Sequence, residues 1–269
     1  MTPEPIRFLP LVKAYPGPSD RYGEAVCVAG ARLDAGTPTW LRLYPVLFRD
    51  LPNDQQFAKY DIVELDVLPH SDYRPESHRP VLETMRKVGH LDTSDVWRPR
   101  REIVEPMLIE SMCDLMRRRE LDQTSLGAFR PAEVTDFVPS PEPGEWTEDE
   151  LASLSRISLF AQDRKLLRKM PWRFRYHYSC GKGCSGHKQS VIDWEVYATY
   201  FNARRERSED DAVTAVRDRW LNTLCGPDKD TIFFVGNQRE APLGFIVLGV
   251  FWPPALRPSK QVEHLDLGL

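Results

Sequence analysis

The 269-residue sequence predicts an α+β fold, with a mostly-β first half and a mixed second half that closes in a hairpin. Three observations carry this expectation. Segments between residues 24 and 68 alternate apolar and polar with the period of a half-buried strand. Helical spacing appears after residues 101, 193 and 208. Two long apolar runs near the C-terminus are separated by turn residues.

In the first half, Glu24–Ala31 reads as a strand, Leu33–Pro38 as turn chemistry and Trp40–Val46 as a second strand. Tyr60–Leu68 alternates again, with Val63, Leu65 and Val67 inward and Glu64 and Asp66 outward. The strand pattern is that of a small open barrel, and in that pattern alone it resembles barrels that read nucleic acids. Residues 69–80 are polar and proline-punctuated, and read as a surface loop carrying His70 and His78. Apolar positions from Ile103 to Met116 predict one helix, with Pro106 near its start and Arg117–Arg119 at its end, where cations favour the helix dipole. Residues 125–138 read as a strand broken at Pro131 that completes the first sheet. The stretch Pro139–Gly144 reads as a linker. The expected organisation is therefore 1–138, a linker at 139–146, and 147–269.

In the second half, Thr147 and Glu150 match a capping box, opening a helix to about Ile157. Trp172–Tyr178 alternates strictly, with Trp172, Phe174, Tyr176 and Tyr178 on one face and Arg173, Arg175 and His177 on the other. Helices follow from Asp193 and Ser208. Thr231–Gly236 and Phe245–Phe251 predict an antiparallel hairpin covered on both faces.

The strand ending at Tyr178 runs into a loop containing Cys180, Cys184 and His187, spaced C-x3-C-x2-H among three glycines. Thiolate and imidazole donors on a short flexible loop are the chemistry of tetrahedral zinc. The fourth position is open between His177, Cys225 and water. Cys27 and Cys113 read as small buried hydrophobes.

Asp193 and Glu195 lie close behind the loop. With Lys188 they would form a Mg²⁺-dependent phosphodiesterase or nuclease site; the readier reading of the same residues is structural, Asp193 as a helix N-cap and Glu195 in a first turn. Arg173, Arg175 and Lys182 form a basic face. Alternate positions on a strand lie ~7 Å apart, near phosphate spacing. Trp40, Arg42 and Tyr44 form an aromatic–basic–aromatic face suited to stacking bases. The net charge of −4 argues against a broad histone-like surface but allows a local basic groove. No apolar run is long enough to span a membrane, and the N-terminus lacks signal-peptide character, so a cytoplasmic protein is expected. The sequence thus points to a zinc-containing protein that binds or processes nucleic acid. A hydrolase using Asp193 and Glu195 and a zinc-braced module that binds a protein partner are the alternatives.

Overall fold

Alternation in the first half produces a barrel. In the computed structural model, which describes residues 2–34, 36–155 and 165–256, strand β1 (Glu4–Lys13) pairs antiparallel with both β3 (Gly23–Arg32) and β5 (Asp61–Pro69). Strand β6 (Ser77–His90) pairs antiparallel with β5 and parallel with β4 (Thr39–Val46), and β4 returns antiparallel to β3. These five strands close on themselves, and the short β2 (Gly17–Ser19) adds to β3. The order β5-β1-β3-β4 is a Greek key. Phe8, Val28, Leu41, Leu43, Val63 and Leu65 fill the interior.

The β1–β3–β4 side of this barrel does not face water. Leu9, Leu11, Ala29 and Ala31 on its outer face pack against Phe234, Leu248 and Phe251. Those belong to a second sheet, in which β11 (Ile232–Asn237) lies between β12 (Phe245–Phe251) and β7 (Leu126–Phe129). The expected hairpin is present, and every residue of β11 is buried. A third sheet sets β9 (Trp172–Ser179) between β8 (Glu133–Pro141) and β10 (His187–Ser190). Its aromatic face, Phe174, Tyr176 and Tyr178, is buried with Phe137, Trp220 and Phe233, whereas Arg173, Arg175 and His177 point outward, as the alternation requires.

Helices flank these sheets. They are α1 (Ser94–Val104), α2 (Met112–Asp122), α3 (Glu148–Ser155), α4 (Trp194–Ala203) and α5 (Glu209–Arg217). The capping box holds: the Glu150 amide donates to Thr147 Oγ1 (3.3 Å) and the Thr147 amide to Glu150 Oε2 (2.8 Å). Residues 156 and 157, the expected end of α3, lie outside the described residues. No helix among the described residues is long and apolar enough to cross a membrane.

Several expectations are corrected. The helix read across residues 103–116 is two helices, because Pro106 sits in a 3-10 turn at Glu105–Met107 and Ser111 caps a fresh start. The stretch 125–138 does not complete the first sheet; β7 joins β11 and β8 joins β9. Residues 77–80 are strand β6 rather than loop. Pro139, Ser140 and Pro141, read as linker, are the last residues of β8 and pair with Phe174, Arg173 and Trp172.

Gly30 marks the closest approach within the barrel. A Cβ there would lie 2.0 Å from the Leu9 carbonyl oxygen, a backbone atom that cannot swing aside. Gly30→Ala is expected to lower stability by roughly 2–4 kcal/mol, measured by urea unfolding. Gly17→Ala, with nothing within 4 Å of the added carbon, should shift it by less than about 0.5 kcal/mol.

Candidate metal centre and adjoining cleft

The knuckle after β9 turns three times through positive φ, at Gly181 (104°), Gly183 (84°) and Gly186 (92°), angles that glycine alone takes without strain. The Cys184 amide donates to the Gly181 carbonyl (3.1 Å), and the Gly186 amide donates to Cys184 Sγ (3.3 Å). This curl turns Cys180, Cys184 and His187 toward one point. The fourth group there is Cys113, in the first turn of α2. One donor atom from each of Cys113, Cys180, Cys184 and His187 lies within 4.8 Å of all the others.

The cluster is consistent with a zinc site. Cys113 Sγ stands 3.4 Å from His187 Nε2. A tetrahedron with Zn–S near 2.3 Å and Zn–N near 2.0 Å has S···N edges of about 3.5 Å. Burial pushes the Cys113 thiol up to about 11, with Cys184 and Cys180 adding to the shift, and burial raises Cys180 too. Backbone hydrogen bonds lower Cys184. Burial lowers His187, which favours the neutral imidazole that a metal requires. Three crowded thiols resist ionising together; a dication removes that resistance. Four protein donors make a closed set of the structural kind, with no position left for substrate.

The fourth donor of this cluster is Cys113 rather than His177 or Cys225. His177 belongs to the outward face of β9, opposite Tyr178. Cys225 lies against the Trp220 carbonyl (3.4 Å) and Tyr176 Oη (3.8 Å). Cys113 was missed because the helix around it looked like ordinary core. The available signal was its place beside the buried stripe of Met112 and Leu115 rather than within it.

Asp193 and Glu195 do converge on one cation, but it is an ammonium of the chain itself. Lys59 Nζ lies 2.9 and 2.7 Å from the two Asp193 oxygens and 3.2 Å from Glu195 Oε1. Asp193 is fully buried and also accepts the Glu195 amide (3.0 Å), so it is the N-cap of α4. Burial alone would draw Lys59 down; the two carboxylates outweigh it and hold the ammonium above its ordinary range. A Mg²⁺ site at this pair would have to displace Lys59. Lys188 is exposed on β10. Nearby, burial and the charge of Lys59 pull Lys13 down to about 8, and its Nζ sits 3.7 Å from the Phe48 ring centroid.

The predicted basic face is divided. Arg173 pairs with Glu142 (2.8 Å), Arg175 donates to Ser140 Oγ (3.0 Å), and Lys182 is exposed at the knuckle tip. Arg173 also lines a cleft of about 470 Å³ with Tyr15, Trp146, Lys169, Trp172 and Tyr197. Tyr15 stacks on Tyr197 with centroids 4.1 Å apart, and Lys169 lies 4.9 Å over Trp146. Ile192, Gln238 and Ile246 line both this cleft and a second cavity containing Arg42 and Tyr44. Trp40 instead packs edge-on against Phe234 (5.7 Å).

Two outcomes test this geometry. Purified protein should carry about one zinc per chain, and Cys113→Ser should lose it, whereas Cys225→Ser should retain it; metal analysis decides. Lys13 gives a signed pH effect. The unfolded chain holds this proton up to about 10.5 and the folded chain releases it from about 8. Its contribution to stability therefore rises with pH between those values. Urea midpoints at pH 7.5 and 9.5 should show this rise, and Lys13→Met should flatten it.

No curated protein matches the chain. A solved structure described as "Structure of murine DNA binding protein bound with ds DNA" aligns at a TM-score of 0.32 with 10% identity, covering 95% of this chain and 98% of that one. Residues 4–106 match the model of a domain of unknown function, DUF8758. Residues 108–266, more than half of the sequence, match the model described as Domain of unknown function (DUF8757), and the chain belongs to that family.

Proposed function

We infer that this is a zinc-containing protein that binds single-stranded nucleic acid along the cleft between the barrel and the C-terminal sheets. The observation that carries this reading is the composition of the cleft: one stacked pair, Tyr15 with Tyr197, and two further indoles, Trp146 and Trp172, interleaved with Lys169 and Arg173. Aromatic platforms stack bases of any sequence, and cations beside them follow the phosphates. The five-stranded Greek-key barrel supports the same reading, since barrels of this architecture bind oligonucleotides on the face of their second and third strands. Here those strands are β3 and β4, and Cys27, Arg42 and Tyr44 on them line the adjoining cavity. The zinc's role in this scheme is to brace the α2 start against the β9–β10 knuckle.

Fluorescence anisotropy with a labelled single-stranded oligonucleotide tests the proposal. Binding should weaken as salt rises. Lys169→Ala with Arg173→Ala should shallow that salt dependence, and Trp146→Ala should cost about 1–3 kcal/mol. Affinity unchanged by all three substitutions would remove the cleft from the account.

A further inference from the structure

Six buried side-chain nitrogen or oxygen atoms among the described residues have no hydrogen-bond partner, and three of them belong to residues lining one cavity. They are Arg42 Nη1, Asn237 Oδ1 and His70 Nδ1. The cavity, of about 280 Å³, lies between the outer face of β3–β4 and the β11–β12 turn. Native proteins leave few such atoms unpaired, so three around one hollow call for a common explanation.

The surroundings hold these groups firmly. Arg42 is 2% exposed, and its Nη2 donates to the Ser125 carbonyl (3.2 Å). The Ser125 amide and hydroxyl are in turn held by Glu76 (2.8 and 2.7 Å). Asn237 is 5% exposed; its Nδ2 donates to the Pro242 carbonyl (2.9 Å), which fixes Oδ1 as the free atom. Arg74 Nη1 donates to the Asn237 carbonyl (3.0 Å) and is itself paired with Asp72. Gly236 permits the approach, since a Cβ there would lie 3.2 Å from Arg42 Nη2 and 2.8 Å from Leu126 and Leu248. The guanidinium has no carboxylate within ion-pair distance among the described residues. A buried cation left in that state is costly.

The missing partner must offer an acceptor to Arg42 and a donor to Asn237. A simple anion offers no donor, and Asp72 on the wall would repel it. A planar heterocycle with a carbonyl beside a ring N–H offers both. Tyr44 and His70, whose rings stand 6.1 Å apart at 67°, supply aromatic walls. Arginine paired with a base carbonyl and asparagine paired with a base edge are recurrent recognition contacts. We propose that this cavity receives a single nucleobase with a keto group, of guanine or uracil/thymine type, hydrogen-bonded to Arg42 and Asn237. The proposal deepens the nucleic-acid reading, because Ile192, Gln238 and Ile246 join the cavity to the cleft. The base comes either from a free nucleoside or from a strand lying in the cleft.

The test uses the full chain. Guanosine or uridine should bind and raise the melting temperature. Methylation of the ring N–H, as in 1-methylguanosine or 3-methyluridine, should weaken binding at least ten-fold. Arg42→Met should abolish binding without lowering the melting temperature, because an apolar chain of similar length suits this site better when no ligand is bound. Should that variant not fold, the methylated nucleosides on the wild-type chain still decide. An oligonucleotide bound more tightly than its nucleoside, and weakened by one abasic residue, identifies a strand as the source; equal affinities identify the free nucleoside. Absence of nucleoside binding, with strand affinity indifferent to an abasic residue, would overturn the base pocket and leave the cleft reading intact. Nucleoside binding without strand binding would do the reverse.

Discussion

The ion pair between Lys59 and the fully buried Asp193 sets the relation between the barrel and everything that follows it. Lys59 stands just before β5, and Asp193 caps α4 while bridging to Ala14 at the end of β1. Beside it, the Tyr15 amide donates to the Ile192 carbonyl (2.8 Å), and the Ile192 amide to Val247 (3.1 Å). One ion pair thus sits where barrel, α4 and hairpin sheet meet. Its energetic sign is asymmetric. Bringing two charges out of water costs nearly what their attraction returns, but removing one partner strands the other at about 3–5 kcal/mol. The pair therefore acts more as a constraint on arrangement than as a source of stability. Tyr15 and Ile192, which line the cleft, are positioned by it.

The Cys113–Cys180–Cys184–His187 cluster makes a second tie. Its donors come from the start of α2 and from a knuckle many residues later. The dipole at the start of α2 favours the thiolate form of Cys113, against the burial that raises its pKa. The knuckle was legible because its ligands and glycines are contiguous. Cys113 was not, because nothing in sequence records that α2 starts against β10. That contact rests on packing: Gln189 Nε2 approaches Met112 Sδ (3.4 Å), and Tyr178 Oη donates to Gln189 (2.6 Å).

The same distinction runs through the fold. Strands with one wet and one dry face, such as β5 and β9, could be read residue by residue. β1 could not: Pro5 and Pro10 interrupt it, and it pairs on both edges with a bulge between Pro10 and Val12. β6 was hidden for the opposite reason. Only Ser77, Pro80 and Met85 of its fourteen residues are buried, so no apolar rhythm announces it. β7 and β8 were visible as strands, yet local pattern carries no information about which sheet a strand joins.

The Trp40–Arg42–Tyr44 face shows where such reasoning is strongest and where it stops. Alternation placed these three opposite Leu41 and Leu43, and the structure agrees. Outside the barrel, however, is inside the molecule, because the hairpin sheet packs over this face. Burial then separates three residues that looked alike. Trp40 becomes packing, Tyr44 a cavity wall, and Arg42 a charge whose second terminal nitrogen has no partner. An exposed arginine there would need no explanation. The same arginine at 2% exposure does, because a buried guanidinium without an ion-pair partner costs stability.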